Sequence, residues 1–311
     1  MRTKNKFAIV FPGQGSQSPG MMNGLLEFQS NIKETFKTAS EILDYDLLDI
    51  ITSGPEEKLN QTEITQPALL TSAYATWLIW REKSGSTPTV LAGHSLGEYT
   101  ALVCADVISF EDAVALVAER GRCMQKAVPA DVGAMAAILG LDDEQVIQVC
   151  ADATGNEIVS AANFNSPGQV VISGHKLAVE RAINSAKDAG AKRVMLLPVS
   201  VPSHCMLMKD AADEFAKSLN KIVFKDPAIP VLQNVDAKAK SKSDEIRPVL
   251  LEQLYKPVRW VDSIIKMKNM EITKVIECGP GKVLSGLIKR IDRSFEIFSI
   301  QDETSLAKAL G

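Results

Sequence analysis

The chain is short of histidine, of aromatic residues and of long apolar runs. Three histidines in 311 residues leave few groups that titrate near neutrality. No apolar stretch approaches the roughly 20 residues that span a bilayer, which excludes a helical membrane protein. The run Phe7 to Phe11, after Arg2, Lys4 and Lys6, is too short for the core of a secretory signal. The five cysteines (Cys104, Cys123, Cys150, Cys205 and Cys278) are scattered, and none forms a C-x-x-C pair. That removes a zinc ribbon and predicts reduced thiols in a cytoplasmic protein. Positive charge is not in excess, and a net charge of -4 argues against a general nucleic-acid binder. An acidic partner must then dock on a local basic patch, for which Lys192-Arg193 and Lys289-Arg290 are the candidates. A glycine-rich loop ending in G-K-[ST] is absent, as is G-x-G-x-x-G, so neither common phosphate-binding fingerprint applies.

What is present is Gly93-His94-Ser95-Leu96-Gly97, a G-x-S-x-G sequence. The apolar, partly β-branched run Thr89 to Ala92 before it reads as a buried strand. Glu98 to Ala105 after it reads as a helix, with Glu98 well placed in the first turn. A strand, tight turn and helix is the context in which such a serine is pushed out of the sheet's carboxyl edge and becomes a nucleophile.

With 46% hydrophobic residues the chain can bury a sizeable core, as one large domain or two ordinary ones. Phe7 to Phe11 predicts a first strand, running into the loop Pro12-Gly13-Gln14-Gly15. Helices are expected over 31–52, over 66–82 with Pro67 in an early position, and over 110–126. From 132 to 197 the order is strand 133–139, helix 142–153, strand 157–162, strand 169–173, helix 176–189 and strand 192–197. This β-α-β-β-α-β unit reads as a ferredoxin-like subdomain over 128–197. It is inserted in a larger α/β domain made of 1–127 and 198–311. In the second part, strands are expected over 229–232 and 274–277. Helices are expected up to 219, over 249–255 behind Pro248, over 258–268, and after Lys282. Alternating strands and helices predict a mostly parallel sheet covered on both faces.

A nucleophilic serine needs a base. His94 adjoins Ser95 and diverges from it on the turn, and His175 begins a helix of the small subdomain. By elimination the base is His204, on the proline-bracketed loop Pro198 to Cys205. A third group must accept the other imidazole N–H; the carbonyls of Asn234 and Gln253 are both candidates. An oxyanion hole needs two donors: the backbone N–H of Leu96, after the nucleophile, and one from a glycine-rich strand exit, where Gln14 fits. On the 110–126 helix, Ala113, Val117 and Met124 lie within about 40° of each other, and Arg120 lies about 20° from that stripe's edge. A guanidinium facing the core requires an anionic partner, which is either a protein carboxylate or an anionic substrate.

Taken in order, Phe11-Pro12-Gly13-Gln14-Gly15-Ser16-Gln17, Gln66-Pro67-Ala68, Gly93-His94-Ser95-Leu96-Gly97-Glu98, Arg120-Gly121, Pro202-Ser203-His204 and Gly279-Pro280-Gly281-Lys282 resemble the malonyl-CoA:acyl carrier protein transacylases. The resemblance runs from about residue 7 to 290. It implies an α/β-hydrolase-like core with a ferredoxin-like subdomain and a malonyltransferase of fatty-acid synthesis. It implies Ser95 as the acylated nucleophile, His204 as base, Gln14 and Leu96 as oxyanion donors, and Arg120 as clamp for the malonyl carboxylate. It further implies that the main-chain carbonyl of Gln253 orients the histidine and that Gln66 lines the site. The implied partners are malonyl-CoA and an acyl carrier protein, without cofactor or metal, in a monomer. A non-catalytic carrier-protein binding module is one rival reading, but it leaves no reason for Ser95, His204 and Arg120 to occur together; a serine hydrolase is the other. It shares the serine and histidine, but usually sets an acidic residue between them and its histidine near the C-terminus.

Overall fold

In the computed structural model, residues 6–84, 86–129, 131–199 and 201–311 are described. Arg2, Lys4 and Ser200 lie outside the described residues. The chain opens with β1 (Phe7–Phe11), then α1 (Gln29–Leu43), α2 (Leu47–Ser53), α3 (Glu56–Leu59) and α4 (Thr62–Ser84). It continues with β2 (Val90–Gly93), α5 (Leu96–Cys104) and α6 (Phe110–Ala127). The small unit is β3 (Gly133–Leu139), α7 (Asp143–Thr154), β4 (Val159–Ser166), β5 (Gln169–His175), α8 (Lys176–Asp188) and β6 (Arg193–Leu196). Then come α9 (Lys209–Leu219), β7 (Val231–Leu232), α10 (Ser243–Glu252) and α11 (Trp260–Asn269). The chain closes with β8 (Lys274–Cys278), α12 (Val283–Ile291), β9 (Glu296–Ile300) and α13 (Glu303–Leu310).

The large sheet has the order β7-β2-β1-β8-β9, and every pairing in it is parallel. Its central strands are buried on both faces, which is why they read as unbroken apolar runs. Ile9 and Phe11 of β1 face one side, where α1, α4, α5, α6 and α9 pack. Ala8 and Val10 face the other, against Trp260, Ile264 and Met267 of α11 and Leu284 and Leu287 of α12. Alternate residues of one strand thus serve two cores.

The small sheet has the order β4-β5-β3-β6, antiparallel throughout, which is the ferredoxin-like arrangement. Ala134, Ala136 and Ile138 face α7 and α8. Met135, Ala137 and Val171 face the opposite way, with Met195 and Leu197 packed beside them, toward the large unit. Strand β4 is tied to that unit by two backbone bonds, Phe164 N–H to Val258 O at 3.0 Å and Val258 N–H to Ala162 O at 2.8 Å.

The elements depart from the sequence reading in a few places. The 31–52 helix is two helices, because Asp44 turns left-handed (φ 61°) and the Asp46 side chain caps α2. Helix α4 begins at Thr62, so Pro67 lies inside it rather than near its start. Helix α10 begins at Ser243 and holds Pro248 inside. Its first N–H is met by the Asp226 carboxylate at 2.9 Å, a cap supplied from a distant stretch of chain. Strand β4 runs over 159–166 instead of 157–162. Strand β9 and α13 had no counterpart in the reading. Among the described residues, no helix is long and apolar enough to cross a membrane.

Candidate active site

The turn between β2 and α5 holds Ser95 at φ 51° and ψ -106°, a strained conformation for a residue with a side chain. The glycines on either side are required by contact. A Cβ on Gly93 would sit 1.9 Å from the Gly97 carbonyl, and one on Gly97 would sit 2.1 Å from the Phe11 carbonyl oxygen. The Asn234 side chain braces the turn from both ends. Its Oδ1 accepts from the Ser95 N–H at 2.6 Å, and its Nδ2 donates to the Gly93 oxygen at 2.6 Å.

The Ser95 hydroxyl lies 2.8 Å from His204 Nε2. His204 Nδ1 lies 2.7 Å from the main-chain oxygen of Gln253. A carbonyl only accepts, so Nδ1 carries the ring proton and Nε2 offers a lone pair to the serine. Of the two carbonyls open on sequence grounds, Gln253 makes this contact, while Asn234 contributes its side chain. His204 is 3% exposed, and its own N–H donates to the Leu254 oxygen at 2.9 Å. Burial, and then the nearby Arg120 charge, push its pKa down to about 3. The imidazole is therefore neutral at physiological pH, as a base must be.

Arg120 reaches this pair from α6. It is 1% exposed, and among the described residues no carboxylate lies at ion-pairing distance from it. Its NH1 donates to Gln66 Oε1 at 2.8 Å; its NH2 donates to Gln253 Oε1 at 3.0 Å and, at 3.3 Å, to the Ser95 hydroxyl. The Tyr99 ring lies 5.3 Å below the guanidinium. Gln66 is fully buried behind Arg120 and is not part of the cleft wall.

Ser95, Leu96, His204 and Arg120 open onto a cleft of about 480 Å³. Gln14 lies on its wall beside them, and Met135, Ala137, Val171, Met195 and Leu197 of the small sheet roof it. The backbone N–H groups of Gln14 and Leu96 have no protein acceptor among the described residues. The other histidines are placed differently. His94 lines the cleft, with Nε2 2.8 Å from Asn165 Oδ1 and its ring against Trp260. His175 lies at the N-terminus of α8, where Nδ1 accepts from Ile158 N–H at 2.9 Å, away from the cleft.

Sequence reasoning missed two members of this group. One is the Asn234 side chain. The other is Glu98, noted only for its place in the first turn of α5, yet fully buried against Gln253 and Asn234. Among the described residues, no cluster of His, Cys, Asp and Glu suited to a metal ion occurs.

A parallel sheet carrying a serine at a strand-to-helix elbow, with a histidine on its hydroxyl, is a frame for acyl transfer. The chain belongs to the acyl transferase family, whose domain model matches residues 8–307. Its relatives are more particular. It is 52% identical to the malonyl CoA-acyl carrier protein transacylase of Escherichia coli strain K12, over 98% of this chain and 99% of that one. It is 43% identical to the protein of the same name from Staphylococcus aureus, over 96% of both. Among solved structures it is similar to an acyl carrier protein S-malonyltransferase from Vibrio cholerae, at 55% identity and a TM-score of 0.95, covering 97% of this chain and 99% of that one. It also matches a malonyl-transacylase solved with a type II polyketide acyl-carrier protein, at 50% identity and a TM-score of 0.97, covering 98% and 99%.

Proposed function

We propose that this acyltransferase moves a malonyl group from malonyl-CoA to the phosphopantetheine thiol of an acyl carrier protein, through a malonyl ester on Ser95. The observation that carries the reading is Arg120. A buried guanidinium with no carboxylate on it among the described residues, 3.3 Å from the nucleophilic hydroxyl, is suited to an acyl group that itself ends in a carboxylate.

The steps balance on the residues present. His204 Nε2 takes the Ser95 proton as Oγ bonds to the thioester carbon. The N–H groups of Gln14 and Leu96 receive the oxyanion. The carbon–sulfur bond breaks, and His204 returns the proton to the CoA sulfur. The carrier thiol then gives its proton to His204, attacks the ester carbon, and Ser95 leaves as the hydroxyl. Gln253 holds the imidazole through its main-chain oxygen. Gln66 serves substrate binding through Arg120, by holding one of its terminal nitrogens.

Residues 1–127 and 198–311 form the catalytic unit in this reading, and 128–197 form the subdomain that roofs the cleft. Five unpaired buried cysteines suit the cytoplasm.

The test is intact-mass analysis after mixing with malonyl-CoA alone. One malonyl group is expected, on Ser95, and none in Ser95→Ala. An adduct on a cysteine would overturn the assignment of Ser95; in a second reaction that includes a carrier protein, free malonate forming faster than malonyl-carrier would overturn the transfer.

A further inference from the structure

Glu98 has no step in that sequence, yet it is fully buried beneath the nucleophile and outside the cleft wall. Its Oε2 accepts from Gln253 Nε2 at 2.7 Å and from the Asn234 N–H at 3.0 Å. Its Oε1 has no partner among the described residues. No cation among them lies at ion-pairing distance from it. An isolated buried carboxylate is costly, and Arg120 is the same problem with the opposite sign.

One amide joins the two. Gln253 turns its Nε2 to Glu98 at 2.7 Å and its Oε1 to Arg120 NH2 at 3.0 Å. Nε2 also donates to the Ser95 main-chain oxygen at 3.0 Å, which fixes the direction of the amide. Each end of its dipole therefore meets the charge it favours, and the chain of bonds is polarised from anion to cation.

We propose that Glu98 is the counter-charge of Arg120, held one amide away so that the guanidinium is neutralised while its fork stays open to an incoming carboxylate. A carboxylate placed directly on Arg120 would occupy the N–H groups that an acyl carboxylate needs. Across the amide, the two charges still attract in an interior of low dielectric. NH2 meanwhile offers its second N–H only to the Ser95 hydroxyl, by the longest of its bonds. Burial raises the Glu98 carboxyl to about 7, against the hydrogen bonds from Gln253 and Asn234 and the charge of Arg120, so the test is set above that value, at pH 8. The counter-charge is a property of the fold; its effect on substrate choice rests on the assignment of Arg120 to the malonyl carboxylate.

The test is a double-mutant cycle in thermal unfolding at pH 8, with Glu98→Gln, Arg120→Ala and the pair. Glutamine keeps a carbonyl oxygen for both donors and removes the charge, while placing an NH2 where Oε1 has no partner; that local cost is the same whether residue 120 is arginine or alanine, so the cycle cancels it. Each single change is expected to lower Tm. The double variant is expected to be more stable than Arg120→Ala, because no lone charge remains in it. Additive losses would overturn the proposal. Should Glu98→Gln alone fail to fold, the comparison of Arg120→Ala with the pair still decides; Arg120→Met, which fills more of the space, replaces alanine if that variant fails. In the kinetic arm, Glu98→Gln should raise the malonyl-to-acetyl ratio of kcat/KM severalfold, since no anion then opposes the incoming carboxylate. An unchanged or lower ratio counts against the proposal. If Arg120→Ala keeps the wild-type ratio while the cycle is non-additive, the counter-charge stands and the assignment of Arg120 to substrate falls.

Discussion

Replacing Arg120 by alanine isolates the contact on which substrate choice turns in the proposed reading. Each terminal nitrogen of a guanidinium carries two N–H groups. In the free protein NH1 uses one, on Gln66, while NH2 uses both, on Gln253 and Ser95. In the proposed mechanism acylation converts the Ser95 hydroxyl to an ester, which frees the N–H that pointed at it, and NH1 has one further N–H unused. Together they form a fork for the malonyl carboxylate. Truncating one partner of a buried charged pair costs about 2–5 kcal/mol. At about 1.4 kcal/mol per decade, kcat/KM for malonyl-CoA should fall by roughly 30-fold to a few thousand-fold. Acetyl-CoA has no carboxylate to lose. Removing the cation also relieves His204, because the Arg120 charge is the second cause of its lowered pKa. The imidazole then becomes more basic, and acetyl transfer should fall much less or rise. Lysine at 120 should restore little, since a point charge cannot replace the planar fork. The assay is the malonyl-to-acetyl ratio of kcat/KM in wild type, Arg120→Ala and Arg120→Lys, with circular dichroism as the folding check. A folded Arg120→Ala that loses both substrates equally would refute the reasoning and make Arg120 a purely structural residue.

Other predictions follow from single contacts. His204 should stay neutral far below its ordinary range, because burial and Arg120 both disfavour its charged form; a histidine NMR titration in which the ring lost in His204→Ala charges near pH 6.5 would contradict this. Gly97→Ala puts a methyl 2.1 Å from the Phe11 oxygen and 2.9 Å from that of Pro12. Overpacking of this kind costs about 1–3 kcal/mol, so Tm should fall and acylation of Ser95 should slow, whereas wild-type values for both would show that the elbow can give. Lys192, Arg193, Lys289 and Arg290 are exposed, and Arg290 donates to Oε1 of the cleft-lining Gln169 at 2.5 Å. Reversing either pair should raise KM for carrier and weaken its salt dependence, with little change for malonyl-CoA; unaltered carrier kinetics in both variants would move the docking surface elsewhere.

The parts of this fold that were readable in sequence are those whose signal is local. Strands β1 and β2 are buried on both faces, so each is an unbroken apolar run. Ser95 stands out by motif, and His204 by the scarcity of histidine. Arg120 was visible because a helix has a fixed period. What stayed hidden depends on chain brought from far away. The start of α10 is capped by Asp226, 17 residues upstream, together with its own Glu245, whereas the pattern around Pro248 pointed to a later start. Strand β9 lies at the sheet edge and is mostly half-buried, so its alternation is weak. The choice between Asn234 and Gln253 as partner for His204 is a matter of tertiary placement. Glu98 meets Asn234 and Gln253 at separations of 136 and 155 residues, and nothing within its own helix announces them.

The clamp of Asn234 on the elbow has a consequence for the order of events. The amide of Ser95 is already spent, at 2.6 Å, on the Asn234 side chain. In the proposed reaction the Ser95 N–H is therefore not free to cradle the adduct, and the oxyanion falls to its neighbour Leu96 and to a different strand exit, at Gln14. One donor is anchored to the helix that carries the serine, and the other arrives on a loop of β1. Holding the attacking atom and receiving the charge it creates are thus tasks of separate pieces of backbone.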